Sequence, residues 1–352
     1  MLERLLTISL EQRLLILLGA LALAGAGIWA WSELKIEAYP DVADTEVAVI
    51  VKYPGRPAEE VEQQITIPIE RALNAVPRVL TRRSRTIFGL AVIRLTFEEG
   101  TDDYFARQQV LEKLRDVDLP EGAELDLGPL STPVGEIYRY VVEGDGYSLV
   151  QLRELQDWVI IPALLQVPGI ADITNFGGVE KQYNVIVNPA ALEKYGLTIE
   201  DVEKAIQANN SSTGGNILSM GSSQLAIRSV GRIRSIEDLQ YTVLKSEGGT
   251  PVFLRDVASV ELGALMPSGV LGYLDKTRGK ESNDGVEGIV LMRRGENPSQ
   301  VLQGVKAKIA YLNSRVLPNG VRIVGVYDRT DLVESTLATV GKIGRASCRE
   351  RV

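Results

Sequence analysis

The chain has 352 residues, with 38 Lys plus Arg against 46 Asp plus Glu, one cysteine and no histidine, giving a net charge of −8. Without histidine and with a single cysteine, Cys/His zinc sites, Ser-His-Asp triads and Cys-His dyads are excluded. The acidic balance argues against nucleic acid as a partner.

Residues 1–12 read as a short amphipathic segment at the cytoplasmic face of a membrane. Leu14 to Ser32 is then an uncharged run of nineteen residues. As a helix it is about 28 Å long, enough to cross a bilayer's hydrocarbon core. Trp29 and Trp31 fall at one end, where indoles favour the headgroup level. A signal peptide would have a shorter apolar core and end in small residues, and a buried core helix would carry charge on a solvated face. A transmembrane helix over 13–32 is therefore expected. Arg4 and Arg13 precede it, while Glu33, Glu37 and Asp41 follow, so the N-terminus is expected in the cytoplasm and residues 33–342 outside. The run holds no ionisable group, which makes it an anchor and packing element, not an ion pathway.

Thr45–Tyr53 alternates as a half-buried strand does. Pro54-Gly55 turns the chain, and Pro57 opens a helix to about Ala75 that Pro68 should kink or break. Strands near Arg78–Ile87 and Ala91–Glu98 follow, then a helix Asp102–Asp116 with Thr101 as its N-cap, then a strand Glu124–Leu127. That order is β-α-β-β-α-β, the split βαβ or ferredoxin-like unit. The pattern restarts with strand Glu136–Glu143, helix Leu149–Leu165, and strands Ile170–Asn175 and Gln182–Val187. It closes only at strand Val286–Arg293, helix Ser299–Leu317 and strand Arg322–Tyr327. An insertion between these halves has helices Ile199–Asn209 and Ile236–Leu244 and strands Leu225–Val230 and Val252–Glu261. Within it, NNSSTGGNILSMG (209–221) reads as a long polar Gly-rich loop, a kind often functional. Residues 271–285 read as a solvated loop. The fold class expected is a membrane-protein fragment: one helix, then an α+β periplasmic region of two ferredoxin-like units, the second interrupted by an inserted subdomain.

The last ten residues, IGRASCRERV, change character abruptly. They back-translate into a common sequencing adaptor read in frame, so 343–352 are expected to be foreign and the native protein longer. They carry three arginines, one glutamate and the cysteine; without them the net charge is −10 and no cysteine remains.

Several strings then agree with one family. Tyr39-Pro40 and Val51-Lys52-Tyr53-Pro54-Gly55-Arg56-Pro57-Ala58-Glu59-Glu60-Val61 come first. Pro68-Ile69-Glu70-Arg71-Ala72-Leu73-Asn74 and Phe97-Glu98-Glu99-Gly100-Thr101-Asp102 follow, then Gly248-Gly249-Thr250-Pro251-Val252 and Tyr327-Asp328-Arg329-Thr330-Asp331-Leu332-Val333. In this order they resemble the resistance-nodulation-division permeases, in their heavy-metal efflux branch. The resemblance covers residues 1–342 and implies names for the parts. Residues 39–127 would be a first porter domain, and 128–180 with 270–330 a second. Residues 181–269 would be a docking subdomain, and 331–342 the start of a second transmembrane helix. It implies a homotrimer in the inner membrane, with Asn210, Gly214, Gly215 and Asn216 on an arm reaching a neighbouring subunit. It also implies a periplasmic membrane-fusion adaptor, an outer-membrane channel and proton antiport, with no cofactor and no enzymatic activity. The acidic proton-relay residues of the family lie in later helices, so none is expected in this fragment. For the transported metal, the resemblance points to Glu136 and Asp172 as carboxylates lining the porter cleft. Met266 is a possible soft-metal contact, whereas Met292, alternating within an apolar strand, reads as core. Two further readings are a permease for hydrophobic drugs or detergents, and a single-pass periplasmic binding or adaptor subunit.

Overall fold

The computed structural model describes residues 13–33, 41–220, 223–247, 249–267, 269–276, 279–282 and 284–350. The segment 1–12 lies outside them. A helix spans Arg13–Glu33, and its described side chains, among them Leu14, Ile16, Leu21 and Trp29, are exposed. Among the described residues no helix is long and apolar enough to cross a membrane.

The chain forms two compact units, one of 1–147, 155–176 and 286–352, the other of 148–154 and 177–285. The first unit begins with a four-stranded sheet of β1 (Glu46–Lys52), β2 (Val79–Ile87), β3 (Leu90–Phe97) and β4 (Glu124–Leu127), ordered β2-β3-β1-β4. Alternation puts Val47, Val49, Val51, Ile93, Leu95 and Phe97 on one face, buried against two helices. Val61, Ile65, Ile69 and Leu73 come from one helical stretch, and Ala106, Val110 and Leu114 from helix Asp103–Leu114. Both sets recur every fourth residue, one stripe of a helix. Asp102 caps the second helix, accepting from the Phe105 N–H at 2.8 Å. Thr101, expected in that role, is instead buried one residue earlier, where its carbonyl accepts from the Thr45 hydroxyl at 2.8 Å.

The first helical stretch is not one α-helix. Ala58–Val61 and Ile67–Leu73 flank a π-helical turn, Glu62–Thr66, that closes with the Ile67 N–H on the Glu62 carbonyl. Proline lacks the N–H that the carbonyl four residues back needs, and a widened turn places the register shift just before it. The device recurs. Gln156–Ile160 is a π-turn closed by the Ile161 N–H, directly before Pro162, and Leu312–Val316 is closed by the Leu317 N–H, directly before Pro318. Pro68 therefore changes the helix's winding, where a kink or a break was expected.

The second sheet begins with β5 (Glu136–Gly144), and after helices Leu149–Leu155 and Ile161–Leu164 comes β6 (Ile170–Gly177). The other unit follows, with β7 (Lys181–Val187), β8 (Ser212–Met220), β9 (Ser223–Val230), β10 (Val243–Glu247), β11 (Thr250–Phe253), β12 (Ala258–Ala264), β13 (Tyr273–Asp275) and β14 (Lys280–Ser282). These pair two by two: β7 with β12, β8 with β9, β10 with β11, β13 with β14. Leu192, Val202, Leu239, Leu254 and Val257 form its core. Helices Ile199–Asn209 and Ile236–Gln240 each start on a capping box, Thr198 with Asp201 and Ser235 with Asp238. The strand expected over Val252–Glu261 is broken by a 3₁₀ turn at Leu254–Asp256, and 271–285 contains a small hairpin.

The chain then returns to the first unit with β15 (Val286–Met292), helix Pro298–Tyr311 and β16 (Val321–Asp328). The second sheet is ordered β16-β5-β15-β6. Two glycines fit its tyrosines: a Cβ on Gly288 would lie 2.3 Å from the Tyr140 hydroxyl, and one on Gly325 2.2 Å from the Tyr138 hydroxyl. Tyr140 is fully buried and paired with Gln156, whose Nε2 also donates to Asn175 Oδ1 at 2.8 Å. Burial pushes the Tyr140 hydroxyl far up, with the Gln156 hydrogen bond opposing and the Asp157 charge reinforcing. Helix Arg329–Glu350 closes the described chain.

Candidate functional site

Glu136 opens β5 and is exposed, while Asp172 on β6 is half-buried and accepts from the Ile173 N–H at 2.8 Å. β15 lies between their strands. Two ladder spacings put the strands about 9–10 Å apart, so the structure does not bring these carboxylates together on neighbouring strands. Met266 is 88% exposed on a segment of the other unit. Among the described residues no group of three or more His, Cys, Asp or Glu is placed to hold a metal ion. Met292 is buried in β15, as a core role requires.

Within the segment expected as a loop, 212–220 is a strand. Gly214, Gly215 and Asn216 lie on β8, paired antiparallel with β9 from Ser212↔Val230 to Met220↔Ser223. The register shifts between Gly214 and Ile217, so Gly215 and Asn216 sit in a bulge where glycine is favoured. Asn210 precedes the ribbon, and its side chain accepts from the Ile233 N–H at 3.1 Å. Polar, Gly-rich composition reads as loop, but backbone pairing across the hairpin overrides it.

The richest polar constellation lies in the first unit and was not legible in the sequence. Arg294 sits in the turn after β15 and reaches the segment leading into β1. Its guanidinium donates to the Ala43 carbonyl, to the Asp44 carbonyl at 3.1 Å and to the Thr45 hydroxyl at 3.1 Å. Asp41 and Asp103 flank it at 3.7 and 3.5 Å. Asp41 also accepts from the Thr132 hydroxyl at 2.7 Å. Beneath lies Arg329, 3% exposed, whose Nη1 donates to the Val134 carbonyl. Arg294 also edges a cleft of about 430 Å³ with Asp44, Glu46, Arg94, Asp103 and the segment 128–132. Its floor is the face of the first sheet turned away from the helices, where Ala48 and Ile50 of β1 and Arg94 and Thr96 of β3 line it. At the start of helix Arg329–Glu350, Lys306 Nζ meets Asp328 at 2.5 Å. Partial burial would raise the Asp328 carboxyl, but hydrogen bonds from Lys306 and Thr330 and the Lys306 charge outweigh it and hold it below its usual value.

The model of the AcrB/AcrD/AcrF family matches residues 5–345. The chain is similar to the cation efflux system protein CzcA of Alcaligenes sp., 38% identical over 97% of this chain and 32% of that protein. It is 37% identical to the cation efflux system protein CusA of Escherichia coli over 96% of this chain and 32% of that protein. The nickel and cobalt resistance protein CnrA of Cupriavidus metallidurans is 31% identical over 97% of this chain and 34% of that protein. A crystal structure of a heavy metal efflux pump superposes with a TM-score of 0.84 at 40% identity, covering 96% of this chain and 33% of that one. The chain spans about a third of the length of these relatives.

Proposed function

This chain belongs to the AcrB/AcrD/AcrF family, and we propose that it is the N-terminal part of an inner-membrane permease that exports heavy-metal cations. The observation that carries the reading is the identity of 36–38% over 96–97% of the chain to proteins named for cation efflux or for cobalt, zinc and cadmium resistance. In this reading residues 13–32 cross the membrane with the N-terminus in the cytoplasm. The two sheets are ferredoxin-like porter domains, their orders β2-β3-β1-β4 and β6-β15-β5-β16 each matching the split βαβ scheme. Residues 181–269 are a docking subdomain, and the β8–β9 ribbon is the arm toward a neighbouring subunit of a homotrimer. A membrane-fusion adaptor and an outer-membrane channel complete the path, and proton antiport drives it through residues beyond this chain. The protein transports and does not catalyse.

Carboxylate chemistry favours a borderline divalent ion such as zinc or cobalt over Cu(I) or Ag(I). Glu136 and Asp172 would need further ligands from outside this chain, and Met266 would serve only a soft ion. Metal-tolerance profiling of the full-length gene tests the substrate: zinc or cobalt tolerance is expected. Bile-salt or dye resistance with no metal phenotype would instead favour the drug-permease reading.

A further inference from the structure

Arg294 joins parts of the first unit that are far apart in the chain: its acceptors Ala43, Asp44 and Thr45 lie about 250 residues away. The ion pairs to Asp41 and Asp103, at 3.7 and 3.5 Å, are longer than the 2.7–2.9 Å of a charge-assisted hydrogen bond. Direct hydrogen bonds therefore fix this corner, with charge as support. The contact reads backbone position: two of the three acceptors are carbonyls, and the third, Thr45, is buried and in turn donates to Thr101. Only a planar fork of five donors reaches three such acceptors at once; an ammonium presents three donors from one point.

The location matters as much as the geometry. Asp41 follows helix Arg13–Glu33 by eight residues, and Arg329 is the first residue of helix Arg329–Glu350. Arg329 fastens to Val134, and Thr132 of the same linker fastens to Asp41. Helix Arg329–Glu350 thus starts at the corner where the two sheets join.

We propose that Arg294 is a positioning residue for transport, a fixed pivot that holds the first sheet to the second where helix Arg329–Glu350 starts. The proposal rests on the transporter reading above. It requires the corner to stay closed while other parts of the protein move.

The test uses the full-length protein in a cysteine-free background, reconstituted in proteoliposomes, with zinc or cobalt efflux followed against concentration. Arg294→Met is expected to lower kcat about ten-fold with KM within about two-fold, and Arg294→Lys to recover part of the loss. In the second arm, Ala43→Cys with Arg294→Cys is bridged by a cleavable bis-methanethiosulfonate spacer that matches the reach of the arginine. The bridged protein is expected to transport at more than half the unmodified rate, which keeps the test valid if Arg294→Met misfolds. A wild-type kcat in Arg294→Met overturns the proposal. So does a bridged protein that stops and restarts on cleavage, because the corner must then open. A wild-type protein that moves no cation removes the transporter reading and this proposal together. A transporting wild type beside an unaffected Arg294→Met removes the proposal alone.

Discussion

Gly288→Ala tests the packing of the second sheet most sharply. The added Cβ would lie 2.2 Å from Tyr140 Cζ, 2.3 Å from its hydroxyl oxygen and 2.6 Å from Cε1. Ordinary contact begins near 3.4 Å, so the ring must retreat by more than about 1 Å. Tyr140 is fully buried and held by Gln156 at 2.9 Å, so it has no free space to take. Overpacking costs about 1–3 kcal/mol, and losing the tyrosine–glutamine bond adds about 0.5–1.5 kcal/mol. Thermal unfolding of the purified chain in detergent should show a drop of roughly 5–10 °C. Gly272→Ala, whose Cβ would meet nothing nearer than 3.7 Å, should melt within about 1 °C of wild type. Combining Gly288→Ala with Tyr140→Ala should cost less than the two singles together, because the smaller side chain vacates the space the new methyl needs. A Gly288→Ala protein that melts as wild type, or a strictly additive double variant, would refute the reasoning.

Gly325→Ala meets only the far end of the Tyr138 ring, with the hydroxyl at 2.2 Å, so it should cost less, about 1–2 kcal/mol in the same melt. Thr66→Val breaks a 2.8 Å hydroxyl pair with Thr86 beside the first π-turn and should cost about 1 kcal/mol, with faster amide exchange over 62–67. Asp328 is held low in the folded state, so the stability it contributes is complete above the unfolded carboxylate value near pH 3.9 and is lost as pH falls through the lower folded value. Lys306→Met should therefore be less stable at pH 7 and show a shallower loss between about pH 5 and 3 than wild type; parallel acid profiles would count against the pairing.

β1 was legible because a half-buried strand alternates, whereas β15 was legible as a short apolar run, Ile289 to Met292, buried or half-buried at every position. Helix interiors were legible through their fourfold apolar spacing, but not their winding: Pro68 and Pro162 are visible, whereas the π-turns before them follow from where the missing donor is absorbed. The ribbon at 212–220 was hidden because Gly, Ser and Asn describe a loop in composition, while pairing with β9 is a property of the partner strand. Arg294 was hidden for a different reason. An arginine in the turn Arg293-Arg294-Gly295 has no pattern of its own, and its acceptors are mostly backbone carbonyls about 250 residues away. The carboxylates Glu136 and Asp172 were correctly placed on strands of the second sheet, but strand order separates them, and order follows from tertiary pairing.

The proposed function makes this chain part of a pump that carries metal cations. Efflux of zinc and cobalt from proteoliposomes holding the full-length protein, with a proton gradient imposed and then collapsed, tests it most directly. Cation movement is expected to need the gradient and to saturate with metal. Gradient-driven movement of a dye or bile salt, with no movement of any metal, would contradict it.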